Sequence, residues 1–165
     1  MENLTTPRLT IRALEMSDLE AFHAICGDAA AMRFMGDGQP LTVEQTRRWI
    51  TVSQNNYALH SRGCMAVLER GTNEMIGFCG LVVGDDAGEI ELIYGFAPIY
   101  WGRGYASESA SAMLEYGRTF LPRIHASIYP QNSASQRILQ KLGFEQTRVA
   151  TDGTICFQLE GAVSA

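Results

Sequence analysis

The chain has no long apolar run. Nowhere do about 20 consecutive apolar residues occur, and the amino end, MENLTTPRL, lacks the apolar stretch of a secretory signal. A membrane span is excluded on this pattern, and a cytoplasmic address is expected. No stretch concentrates Lys and Arg, and the formal net charge is -5, so a nucleic-acid surface is not expected. An acidic field favours the approach of cations such as amines. Cys26, Cys64, Cys79 and Cys156 form no C-x-x-C pair, which removes zinc-knuckle and dithiol chemistry and leaves no metal expected. Two phosphate-loop patterns are also missing: there is no G-x-x-x-x-G-K-[ST], and G-x-G-x-x-G fails at Ser107. No Ser/His/Asp arrangement, internal repeat, linker or low-complexity segment is evident.

What remains is an ordinary globular composition, 46% hydrophobic and 19% charged over 165 residues, which is enough for one domain spanning 1–165 with its own core. Alternation in RLTIRAL (8–14) predicts an opening strand. Ser17 and Glu20 have capping-box spacing ahead of the helical stripe Leu19, Phe22 and Ile25. Thr42 and Gln45 mark the start of a second helix running towards Tyr57, and Gly36, Gly38 and Pro40 make the segment before it a loop. CMAVLER, MIGFCGLVV and EIELIYGF, separated by the turns GTNE and GDDAG, predict an antiparallel meander. The period returns to 3.6 after Pro98, with Ala106, Ala110, Met113, Leu114, Gly117 and Phe120 on one side. RIHASIY, NSASQRILQKLG, FEQTRVA and TICFQLE then read as strand, helix, strand, strand. The order is mixed α/β.

The segment WGRGYASESA (101–110) lies between the third meander strand and this helix. A helix's first turn carries unpaired N–H groups and partial positive charge, so such a junction suits an anion. Gly102 and Gly104 remove side chains that would block a diphosphate, Arg103 adds a formal charge, and Ala106 keeps the first turn narrow. An ordinary tight turn satisfies the same pattern.

PIYWGRGYASESA resembles the acetyl-CoA loop of the GNAT N-acetyltransferases, matching Gln/Arg-x-x-Gly-x-Gly/Ala at Gly104 and Ala106, with Trp101 in place of the Gln or Arg. Trp-Gly-Arg-Gly-Tyr-Ala is similar to the RimJ/RimL branch of that family, as are the opening TPRLTIRAL and the helix NSASQRILQKLGFEQ. The resemblance covers about residues 6 to 158. It implies a mixed, mostly antiparallel sheet of six to seven strands flanked by about four helices, with a V-shaped opening between the fourth and fifth predicted strands. It also implies acetyl-CoA as acyl donor and direct transfer to a primary amine, either a peptide amino terminus or a small molecule, by a monomer or homodimer. A non-catalytic acyl-CoA-binding module is the alternative of a different class.

Such a transfer needs a neutral amine, a stabilised oxyanion and a proton for the leaving thiolate. Near pH 7 only about a tenth of a free α-amine is neutral, so a base is useful. Glu91, within GEIELIYGF, is the candidate base or amine-orienting carboxylate; an exposed strand carboxylate is the plain alternative, and Glu89 its substitute. Ser135 is the candidate near the sulfur, or simply an N3 residue capping its helix. The family's usual helical tyrosine is replaced by Leu139 and Gln140. The resemblance further assigns coenzyme contacts to Phe96, Ala97, Gly102, Arg103, Gly104, Tyr105, Ala106, Ser107, Asn132 and Ser135. Asn132 also reads as an N-cap, Glu108 as a structural carboxylate at a positive helix end, and His125 as a strand residue with no evident partner carboxylate. Met35, Trp49 and Tyr57 line an acceptor cleft or belong to the core.

Overall fold

A computed structural model describes residues 3–84 and 88–162; residues 85–87 of the expected GDDAG turn lie outside the described residues. The meander appears as β3 (Cys64–Glu69), β4 (Met75–Val83) and β5 (Ile90–Phe96), and the opening strand is β2 (Leu9–Ala13). β1 (Leu4–Thr5) pairs antiparallel with β2. The later strands are β6 (Arg123–Ile128), β7 (Glu145–Val149) and β8 (Ile155–Glu160). They form one sheet in the order β1-β2-β3-β4-β5-β6-β8-β7. Among the described residues the α-helices are α1 (Leu19–Cys26), α2 (Ala29–Met32), α3 (Val43–His60), α4 (Tyr105–Gly117) and α5 (Ser133–Lys141).

The counts exceed the expected six to seven strands and about four helices for local reasons. β1 is two residues long, too short for alternation to reveal. α2 is one turn, closed by Asp28 Oδ1 accepting from the Ala31 amide at 2.8 Å.

Alternation divides the strands between two apolar layers. Met65 and Val67 face α4 together with Ile11, Leu81 and Met113, whereas Ala66 and Leu68 face α1 and α3 with Phe22, Ile50 and Phe78. Trp49 packs in the second layer, its ring centroid 5.2 Å from both Phe22 and Phe78. The expected box at Thr42 is present: its amide donates to Gln45 Oε1 at 2.8 Å, and the Gln45 amide donates to Thr42 Oγ1 at 3.2 Å. The box expected at Ser17 and Glu20 is displaced by two residues. A 3-10 turn, Met16–Asp18, precedes α1, and Asp18 accepts from the Glu15 amide at 2.8 Å. Arg12 on β2 holds both Asp18 oxygens at 2.7 Å, so a tertiary ion pair chose the cap.

The sheet is antiparallel except between β5 and β6, which run parallel and pair only at Glu91 and His125. Beyond that pair the strands part, leaving a fork that opens towards the ends of both. The meander holds one arm, and β8 the other.

Candidate active site

The glycine segment sits where β5 leads into α4. A 3-10 turn, Pro98–Tyr100, is followed by Gly102 at φ +74 and Gly104 at φ +81, backbone angles that cost L-residues roughly 1–2 kcal/mol. The first recorded helical bond of α4 runs from the Glu108 amide to the Gly104 carbonyl at 3.1 Å. The amides of residues 102–107 therefore have no hydrogen-bond partner among the described residues, and 101–104 are exposed. A Cβ built on Gly102 meets nothing within 4 Å; one on Gly104 meets only Arg8 Nη2, at 3.4 Å.

What holds this loop open is a clamp from the start of β2. Arg8 Nη1 donates to the Arg103 carbonyl at 2.9 Å, and its Nε donates to Glu108 Oε2 at 2.6 Å. Glu108 Oε1 accepts from Thr6 Oγ1 at 2.6 Å and from the Arg8 amide at 3.0 Å. Burial would raise the Glu108 pKa, but these hydrogen bonds outweigh it and hold the carboxyl below its ordinary value. Glu108 thus does more than complement a helix end, since it ties α4 to β2. Tyr105 is buried under the Arg8 guanidinium, 4.5 Å from its ring centroid, and its hydroxyl donates to Glu69 Oε1 at 2.6 Å. Only its amide is left for a ligand. Arg103 lies 5.4 Å from the Tyr100 ring centroid with its side chain exposed, and Ala106 packs against the apolar layer under α4.

Of the two strand-end residues expected to contact the coenzyme, only Phe96 keeps a backbone amide free for it. The Ala97 amide donates to the Ile76 carbonyl across the β4 side at 3.1 Å, so it has no proton to offer the fork. Backbone groups alternate between the two edges of a strand, so the continuous register with β4 turns those of Tyr94 and Phe96 towards the fork. The Phe96 carbonyl there accepts from Trp101 Nε1 at 2.8 Å, which gives the tryptophan at 101 a task of its own. The Phe96 amide and both Tyr94 backbone groups remain on the open edge.

A cleft of about 410 Å³ occupies the fork. Glu91 stands at its base, where Ser127 Oγ on β6 donates to Glu91 Oε1 at 2.7 Å. His125 Nδ1 lies 3.5 Å from Glu89 Oε2, so it has a carboxylate partner that only the parallel pairing of β5 and β6 brings near. Asn132 lines the cleft and also caps α5, its Oδ1 accepting from the Ser135 amide at 3.2 Å. Its side-chain NH₂ keeps its donors. Ser135 is 8% exposed, and its hydroxyl points not to the helix backbone but to the Tyr94 hydroxyl, 2.6 Å away.

Tyr94 was not foreseen from the sequence. Leu139, at the position of the family's tyrosine, is buried in the apolar layer, while a phenol from β5 reaches the same face of α5 one turn earlier, at Ser135. The available signal was the tyrosine's place between Leu92 and Phe96, where an apolar face carries one polar tip. Burial pushes the Tyr94 hydroxyl up to about 12. Because Glu91 and Tyr94 are three residues apart on one strand, they emerge on opposite faces of the sheet. Met35 and Trp49 line a second cavity next to the fork, whereas Tyr57 donates its hydroxyl to the Gly63 carbonyl at 3.3 Å. No cluster of His, Cys, Asp or Glu among the described residues is placed to hold a metal ion.

Residues 8–145 match the acetyltransferase (GNAT) domain family. The chain belongs to the GNAT acetyltransferases. The match covers well over half the chain and makes it an acyltransferase. The uncharacterized N-acetyltransferase YoaA of Bacillus subtilis (strain 168) is 33% identical over 152 residues, which cover 88% of this chain and 84% of that protein. An acetyltransferase from Agrobacterium tumefaciens str. C58 superposes with a TM-score of 0.84 at 25% identity, covering 97% of this GNAT chain and 95% of its own. RimL, a ribosomal L7/L12 alpha-N-protein acetyltransferase solved with coenzyme A, shares the fold with a TM-score of 0.82 at 18% identity, covering 98% of this chain and 99% of that one.

Proposed function

We propose that this GNAT domain is an acetyl-CoA-dependent N-acetyltransferase that moves an acetyl group directly to a primary amine. The observation that carries the reading is the row of unpaired amides at 102–107, of which residues 102–104 are exposed, set above a fork in the sheet. Amides with no protein acceptor at a helix start suit a diphosphate, and Arg103 adds charge beside them. The open edge of β5 and the side-chain NH₂ of Asn132 suit a pantetheine arm, which pairs with a strand edge as an added strand does. Acetyl-CoA supplies the activated acyl carbon.

The chain's own groups then divide the work between the two faces of β5. Glu91 receives the amine and takes a proton from it, directly or through one water. The amine nitrogen bonds to the acyl carbon, the carbon–sulfur bond breaks, and the sulfur takes the proton of the Ser135 hydroxyl. Tyr94, kept protonated at neutral pH by its raised pKa, restores that proton through its 2.6 Å contact with Ser135 and is reprotonated from solvent, to which Glu91 releases the proton it took from nitrogen. The Phe96 amide, on the open edge, is the donor suited to the developing oxyanion.

The RimL-type neighbour and the Trp-Gly-Arg-Gly-Tyr-Ala loop support a peptide amino terminus as acceptor and a place in the RimJ/RimL branch. We further read the chain as one such domain over 1–165, cytoplasmic, acting as a monomer or homodimer without nucleic acid, membrane or metal. Thiol release from acetyl-CoA, measured with and without added amines, tests the transferase reading. Acceptor-dependent release is expected; tight coenzyme binding with no acceptor-dependent release would instead make the protein an acyl-CoA-binding module.

A further inference from the structure

The second cavity, about 460 Å³, lies between α2, α3, the end of β4 and the middle of β5. Its walls are mostly apolar, formed by Met32, Leu41, Trp49 and Val82; Gln39, Ser53 and Asn56 add uncharged polar groups, and Asp37, itself exposed, is the one charged residue among the described residues that line it. The cavity is continuous with the fork, sharing Met35, Gly36, Val83 and Ile93 with the cleft that holds Glu91. Ile93 follows Glu91 by two residues on the same face of β5, a distance of roughly 7 Å along the strand. A short amine whose nitrogen meets Glu91 therefore places its substituent against Ile93 and Trp49.

The loop that roofs this space is held in place from both sides. Tyr129, just beyond β6, donates its hydroxyl to the Gly36 carbonyl at 2.5 Å, and the Leu41 amide donates to the Cys26 carbonyl at 2.8 Å. The cavity is thus framed by anchored backbone. At its mouth Val52 is 47% and Val83 59% exposed, apolar surface that a matching ligand would cover. A second ammonium would find only the exposed carboxylate of Asp37, and a string of hydroxyls only Gln39, Ser53 and Asn56, so over most of the wall such groups would lose water without a replacement partner.

Building on the transferase reading, we infer that the preferred acceptor is a primary amine carrying a bulky, uncharged apolar group, seated in this cavity. That chemistry has two sources, a peptide whose first residue is large and apolar or a free arylalkylamine. The test compares kcat/KM for the peptide Phe-Ala-Ala, 2-phenylethylamine, Ser-Ala-Ala, ethanolamine and spermidine, in the wild-type protein and in Val52→Asp. Val52 lies at the exposed mouth, outside the buried core, so the variant is expected to fold, which its thermal unfolding checks. At least one of the two phenyl-bearing acceptors is expected to exceed ethanolamine and spermidine by roughly tenfold or more, and Val52→Asp to shrink that ratio through KM. Which of the two phenyl-bearing acceptors leads identifies the source. Turnover favouring Ser-Ala-Ala, spermidine or ethanolamine, or a ratio untouched by Val52→Asp, overturns the inference and leaves the transferase reading standing. Thiol release with none of the amines overturns both.

Discussion

At the scale of single residues, the site turns on groups whose type was visible and whose partners were not. Ser135 stood out as a hydroxyl on an apolar helical stripe, but its partner Tyr94 lies 41 positions away on a strand. Spacing along one helix carries no information about such a contact. If Ser135 and Tyr94 act as one relay, Ser135→Ala and Tyr94→Phe should each lower kcat, the first by roughly 10²-fold, and the double variant should lose little more than Ser135→Ala alone. Fully additive losses would separate the two hydroxyls. Gly104 was legible in a different way, because a left-handed backbone angle leaves a glycine signature in the sequence. Gly104→Ala should cost roughly 1 kcal/mol of stability, while weakening coenzyme binding by a larger factor. Chemical denaturation and calorimetric titration of the same variant separate the two effects.

At the scale of elements, most strands and helices followed from period, and the exceptions have tertiary causes. The cap of α1 moved because Arg12 reaches from β2 to Asp18, a contact across the chain that a capping pattern cannot contain. Burial alone would raise the Asp18 pKa, yet the hydrogen bonds from Arg12 and the Glu15 amide leave it below its ordinary value. A carboxyl with a lowered folded pKa contributes stability above its unfolded value, about 4, and loses it as the pH falls through the folded value. The gap in stability between wild type and Asp18→Asn should therefore be widest near neutrality and close below about pH 4. Thermal unfolding across that range measures it. The opening segment TPRL was recognisable as a match, but its work was not: Arg8 spans from β2 to both the Arg103 carbonyl and Glu108. Arg8→Ala should raise KM for acetyl-CoA with a smaller effect on kcat, since it positions the loop and touches none of the reacting atoms.

At the scale of the whole molecule, the mixed sheet was legible because short apolar runs bounded by turn residues mark every strand of the meander. The fork itself was expected only from the family resemblance. A parallel pair that stops after Glu91 and His125 leaves no trace in either strand's own sequence. That single interruption puts a carboxylate on one face, a Ser–Tyr pair on the other, and a row of unpaired amides above both. Backbone NMR shifts of residues 102–107, recorded with coenzyme A and then with pantetheine, which lacks the diphosphate, test this arrangement most directly. Coenzyme A should displace those amide resonances strongly, and pantetheine should leave them in place while shifting Tyr94, Phe96 and Asn132. Amides at 102–107 that stay unmoved when coenzyme A binds would contradict the account.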